Sequence, residues 1–200
     1  MYDISSPNHR ESSALARALR WAPAQRYRTG EIPRSLRAWL LAEGSLTQLL
    51  VAASAGEFRV ERILQEWQRP ALSEARLLGI DPDQRALVRE VILWGCGQPW
   101  VYARSVIPSS SLRGDLRRLR KLQNSSLGAL LFRYPQLQRT PFELAKVSAA
   151  ALPSALQRGE KLWARRSRFA LDARSLIVGE IFLDGFLDML ARSPALQRLV

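Results

Sequence analysis

Residues 86–108 read ALVREVILWGCGQPWVYARSVIP. Apolar and β-branched residues fill both arms, and GCGQ at 95–98 has the chemistry of a tight hairpin turn. The stretch therefore reads as two antiparallel strands. Its first arm carries Arg89 and Glu90 inside an apolar run, where an unpaired charge is costly. Side chains alternate along a strand, so Leu87, Arg89, Val91 and Leu93 share one face, and Val88, Glu90, Ile92 and Trp94 the other. Both faces are apolar, and parity alone does not say which charge is the better buried.

Outward from the hairpin the same alternation recurs. FRVERILQEWQ at 58–68 and PFELAKV at 141–147 read as strands, and KLWARRSRFALD and SLIVGEIFL form a closing hairpin around DARS. Ahead of the strands, IPRSLRAWLLAEG has Pro33 in a first turn, Leu36, Trp39 and Leu40 on one face, and Gly44 as a stop. SLTQLLVAASAG restarts at Ser45, a good N-cap, and stops at Gly56. The run LRGDLRRLRKL at 112–122 aligns Leu112, Leu116 and Leu119 as one face of a basic amphipathic helix. NSSLGALLF at 124–132 opens a short helix, 148–160 is helix or loop around Pro153, and GFLDMLARS after Asp184 is a last helix. Short turns make the pairing antiparallel. The expected fold is α+β, a six-stranded antiparallel sheet with helices packed on one face. The expected organisation is a partly flexible leader at 1–30, one domain at 31–184 and a helical tail at 185–200.

The totals narrow the function. Two hundred residues at 47% hydrophobic content suffice for one domain with a core. No apolar run reaches the roughly 20 residues of a membrane span. The first 20 residues lack the apolar stretch of a secretory signal. Cys96 is alone, which excludes an internal disulfide and suits a reducing cytoplasm. His9 is the single histidine and lies in the polar leader, against a His-based zinc site or a Ser-His-Asp triad. No Asp/Glu cluster suggests a carboxylate-held metal. The net charge of +12 raises nucleic-acid binding. However, 27 arginines against 3 lysines, spread along the whole chain, fit a general arginine bias as well as a binding surface.

Glu180 repeats the puzzle of Arg89, because Leu176, Val178 and Phe182 share its face. Two readings stand side by side. In one, Arg89 pairs with Glu180 or Glu90 as a buried ion pair. In the other, the sheet face lines a closed pocket, Arg89 grips a ligand carboxylate through two parallel N–H bonds, and Glu180 meets a ligand hydroxyl or takes a proton. Leu127 adds a candidate backbone donor at a helix start, beside Gly128. GCG at 95–97 is a turn rather than a dinucleotide fingerprint. In RRSR at 165–168, Arg166 and Arg168 share one face, Arg165 and Ser167 the other.

VREVIL, GQPWVYARSVIP, SLGALLF, LWARRSRF and GEIFL occur in the order and rough spacing of one family. From about residue 32 to 183 the chain resembles the chorismate pyruvate-lyases. The resemblance implies a chorismate-lyase-like fold, with the ligand enclosed beneath helical flaps. It implies cleavage of chorismate to 4-hydroxybenzoate and pyruvate, the first committed step toward the ubiquinone ring, with no metal and no organic cofactor. It places the ring-carboxylate arginine on Arg89, a supporting backbone amide on Leu127, the glutamate near the ring hydroxyl on Glu180, and a flap residue, often Met, on Leu46. Leucine conserves the volume of methionine there. The 148–161 segment and the tail after residue 183 look longer than is usual in the family.

With the resemblance, the ligand reading of Arg89 is the one expected. Arg166 and Arg168 are candidates for receiving the enolpyruvyl carboxylate. The expected protein is a cytoplasmic monomer that binds chorismate and 4-hydroxybenzoate, binds no nucleic acid and does not insert into membranes. The alternative is a non-catalytic small-molecule-sensing domain of the same fold. Such domains normally follow a winged helix, for which 30 leading residues are too few.

Overall fold

The structure is a computed structural model in which residues 9–28, 30–159, 161–193 and 196 are described. Residues 86–108 form the expected antiparallel hairpin. β3 (Ala86–Gly95) and β4 (Gln98–Pro108) are joined by Cys96 and Gly97, both at positive φ, 49° and 71°, as a two-residue turn of this hand requires. All ten residues of β3 are buried, so layers of structure cover both faces of the sheet.

The remaining strands are β1 (Ala22–Pro23), β2 (Phe58–Gln68), β5 (Gln138–Arg139), β6 (Glu143–Ser148), β7 (Lys161–Leu171) and β8 (Arg174–Phe182). The sheet runs β1-β6-β7-β8-β4-β3-β2, with β5 also on β7, and every pairing is antiparallel. Among the described residues there are thus eight strands rather than the six expected. The two extra ones, β1 and β5, are two residues long and offer no period to read.

The helices depart further from expectation, because they cover both faces instead of one. On the front, α2 (Arg34–Leu41), α3 (Leu46–Ala53) and α6 (Asp184–Arg192) pack Trp39, Leu50, Phe186 and Leu190 against Leu93, Val101 and Phe182. Phe186 sits edge-on to Trp39 at 4.9 Å, and burying such a ring contributes about 1.5–3 kcal/mol. Also on the front, α5 (Leu127–Leu131) and a 3-10 segment at Gly114–Lys121 bury Leu116, Leu119 and Leu131 against Leu87 and Ile107. The basic run is therefore 3-10 rather than α-helical, although its leucines face the core as expected.

On the back, α1 (His9–Ala18) buries Leu15 beside Tyr102 and Ile181. Next to it, α4 (Leu72–Leu78) places Leu78 against Val88, Val106 and Ile177. Residues 9–18, within the segment read as a leader, are thus helical and packed on the sheet, while residues 1–8 lie outside the described set. Similarly, the tail from residue 185 docks through Phe186 and Leu190. No helix among the described residues is long and apolar enough to cross a membrane.

Candidate active site

Strand register assembles the site. One row across the front face runs Arg89, Ser105, Val178, Ser167, and the next runs Val91, Ala103, Glu180, Arg165. Leu46 and Thr47 of α3, Leu127, Gly128 and Leu131 of α5, Phe132 just after it, and Phe142 roof these rows. Rows and roof together line one cavity, apolar apart from a few convergent polar and charged groups, as small-molecule sites are.

Arg89 is 1% exposed. Its Nη2 donates to the carbonyl oxygens of Gln123 at 2.9 Å and Ser125 at 2.8 Å. Its Nε is buried without a partner, and among the described residues no carboxylate pairs with it. Neither ion pair considered from the sequence forms. Burial, with a smaller effect of the nearby Arg62 charge, lowers the Arg89 pKa to about 10. It remains a cation at neutral pH, held by dipoles that do not cancel its charge.

Glu180 belongs instead to Arg165, whose Nε donates to its Oε2 at 2.6 Å. Arg165 Nη1 also donates to the carbonyls of Trp39 at 2.7 Å and Ala42 at 3.1 Å, which pins the end of α2. The Glu180 carboxylate therefore stands in the cavity wall with Oε1 unengaged among the described residues. Arg165 was the missed partner. Residues 166 and 168 alternate onto the back face, where Arg166 pairs with Glu143 at 2.7 Å. The two-residue turn at Asp172 and Ala173 could have revealed it, because it brings residue 165 opposite residue 180.

The remaining expected residues also reach the cavity. Leu127 is at the first position of α5, where the backbone N–H has no intrahelical acceptor. Leu46 is buried in the roof. Gly128 lines the cavity and also faces α3. A Cβ there would lie 3.2 Å from Thr47 Oγ1 and 3.5 Å from Ser45 Oγ, so the glycine lets the two roof elements close on each other. Thr47 Oγ1 and Ser126 Oγ share a hydrogen bond at 2.7 Å across that seam. Arg139, which the sequence did not single out, lines the cavity with its guanidinium 4.2 Å from the Phe142 ring centre.

The chorismate lyase family model matches residues 15–189. The chain belongs to the chorismate lyase family. A protein of Pseudomonas aeruginosa (strain UCBPP-PA14) named "Probable chorismate pyruvate-lyase" is 44% identical over 150 residues, 75% of this chain and 84% of that protein. One of the same name from Nitrosospira multiformis is 38% identical over 176 residues, 84% of this chain and 95% of that one. Among solved structures, the PhnF C-terminal domain has the same fold, with a TM-score of 0.51 at 14% identity over 62% of this chain and 81% of that one. In this member of the chorismate lyase family, Arg89, Leu127, Glu180 and Leu46 all border one cavity.

Proposed function

We propose that the protein converts chorismate to 4-hydroxybenzoate and pyruvate. The observation that carries this reading is Arg89, a buried cation served by neutral carbonyls alone and lining the cavity beneath α3 and α5. The ring carboxylate pairs with the free N–H groups of Arg89 and accepts from the Leu127 amide. Val91, Ala103 and Leu46 pack against the ring. Arg89 and Glu180 stand two strands apart, roughly 10 Å between backbones, and approach the ring from opposite ends.

The chemistry needs few parts. The C4 proton leaves, the C3–O bond breaks, and the C3–C4 pair becomes the last double bond of the aromatic ring. The departing enolpyruvate takes a proton and becomes pyruvate. Glu180 accepts the C4 proton or relays it, with Val178 and Phe182 flanking it and Arg165 fixing its orientation. Aromatisation supplies the driving force. Orientation in a closed cavity contributes on the order of 7–11 kcal/mol to the barrier in favourable cases. Closure also makes product release slow, and hence product inhibitory. In this reading the protein is a cytoplasmic monomer whose product enters ubiquinone synthesis.

The test mixes chelator-treated protein with chorismate. The expected outcome is loss of the chorismate ultraviolet spectrum with equimolar 4-hydroxybenzoate and pyruvate. Binding of either compound without turnover would overturn the lyase reading in favour of a sensing domain.

A further inference from the structure

We propose that Arg139 receives the second carboxylate of the substrate, that of the enolpyruvyl arm, so that the cavity is a two-anion site. This rests on the lyase reading. The charged lining of the cavity among the described residues is Arg89, Arg139, Arg165 and Glu180. Arg165 and Glu180 neutralise each other at 2.6 Å, and Arg165 is further occupied by the carbonyls of Trp39 and Ala42. Three guanidiniums against one carboxylate leave two positive charges, on Arg89 and Arg139. Chorismate carries two carboxylates and 4-hydroxybenzoate one.

Arg139 has the properties of a receiving group. It is partly buried, and among the described residues its guanidinium makes no hydrogen bond and pairs with no carboxylate within 4 Å. The Phe142 ring orients it from 4.2 Å through its π face while leaving its N–H edges free. Burial, followed by the charge of Arg165, lowers its pKa, with Glu180 and Glu43 offsetting part of this. A second anion in the cavity would relieve that cost.

Its position also fits. β3, which carries Arg89, and β5, which carries Arg139, are four strand steps apart across the sheet, roughly 19 Å between backbones. The two side chains enter one cavity from opposite edges. A ring acid with an acidic arm presents its two charges in that sense. Arg139, Phe132, Phe142 and Phe169 also border the outer groove that holds Tyr27, Arg37 and Tyr134. The arm therefore lies at the cavity mouth and the ring at its closed end. Arg165 already has its charge paired with Glu180, and Arg166 and Arg168 are on the other face.

The experiment uses Arg139→Gln and Arg139→Lys in the full chain. For Arg139→Gln, kcat/KM for chorismate falls at least about tenfold, chiefly through KM, while the Kd for 4-hydroxybenzoate by calorimetry stays within about twofold of wild type. Arg139→Lys recovers part of the loss. Unreactive probes score the same point without turnover: wild type prefers 3-(carboxymethoxy)benzoate over 3-methoxybenzoate, and Arg139→Gln loses that preference. Retained preference for the dicarboxylate, or equal weakening of both probes, overturns the proposal. If wild-type protein leaves chorismate intact but shows an Arg139-dependent preference, the lyase reading fails while the two-anion site stands.

Discussion

Arg89 and Arg104 are arginines of adjacent strands in one sheet, both buried, and they behave in opposite ways. Arg89 points to the front, where two backbone carbonyls hold it. Arg104 points to the back, where it meets Glu74 at 2.8 Å, Glu90 at 2.7 Å and Ser12 Oγ at 2.7 Å. Burial lowers the pKa of both, but the two glutamates more than offset it for Arg104, whose pKa is raised, whereas Arg89 falls to about 10. Depth in the core therefore does not distinguish an uncompensated charge from a structural bridge. The type of partner does: carboxylates close the charge account, and carbonyl dipoles leave it open for an incoming anion.

The largest expected effect is on the back. Arg104→Met strands Glu74 and Glu90 in the core without a cation and should cost about 3–5 kcal/mol of stability, read by urea unfolding. Next comes the front-face pair. Glu180→Gln leaves Arg165 held by the carbonyls of α2, so the protein should fold normally, yet kcat should drop at least about 100-fold through loss of the proton acceptor. Normal kcat would reduce Glu180 to a binding contact. Arg89→Met is the sharpest probe of the contrast. Its stability should stay within about 1 kcal/mol of wild type, while kcat/KM falls by at least about 2 kcal/mol in transition-state terms, near 30-fold. In addition, 4-hydroxybenzoate should no longer raise its Tm. The contrast between the faces fails if Arg89→Met unfolds as readily as Arg104→Met.

How far these roles were legible differs by residue. The alternation in 86–94 placed Arg89 among the front-face residues Leu87, Val91 and Leu93, and the apolar neighbours of Glu180 marked it as costly, so both stood out before any contact was known. The partner of Glu90 was not accessible in the same way. Carried on from Gly95 opposite Gln98, the hairpin register pairs Glu90 with Ala103. A one-residue shift between Leu93 and Trp94, next to the buried Trp100, moves Arg104 into place instead. The expectation of a one-sided sheet failed for a related reason. α1 and α4 are short and rich in polar residues, and the charges that dock them, through Ser12 and Glu74, find partners 78 and 30 residues away. Arg139 sits on a two-residue strand, where only packing in three dimensions brings it to the cavity.

The smallest effect probes how the covers are fastened. On the back, α1 and α4 are fastened to the sheet by Arg104, Glu90 and Glu74, charged bonds that opening would leave unpaired in the core. On the front, α3 and α5 meet at one hydroxyl pair, Thr47 and Ser126, over the space where a ligand would enter. A neutral bond of this kind is worth about 0.5–1.5 kcal/mol, strong enough to bias a roof toward closure and weak enough to release it. Thr47→Val keeps the side-chain shape and removes the bond. Stability should change by under about 1 kcal/mol, whereas the off-rate of 4-hydroxybenzoate, followed by stopped-flow fluorescence, should rise about three- to tenfold. If product release limits turnover, kcat rises with it. An unchanged off-rate would mean that the seam between α3 and α5 does not gate the cavity, and that the apolar contacts of Leu46 and Leu131 hold the roof instead.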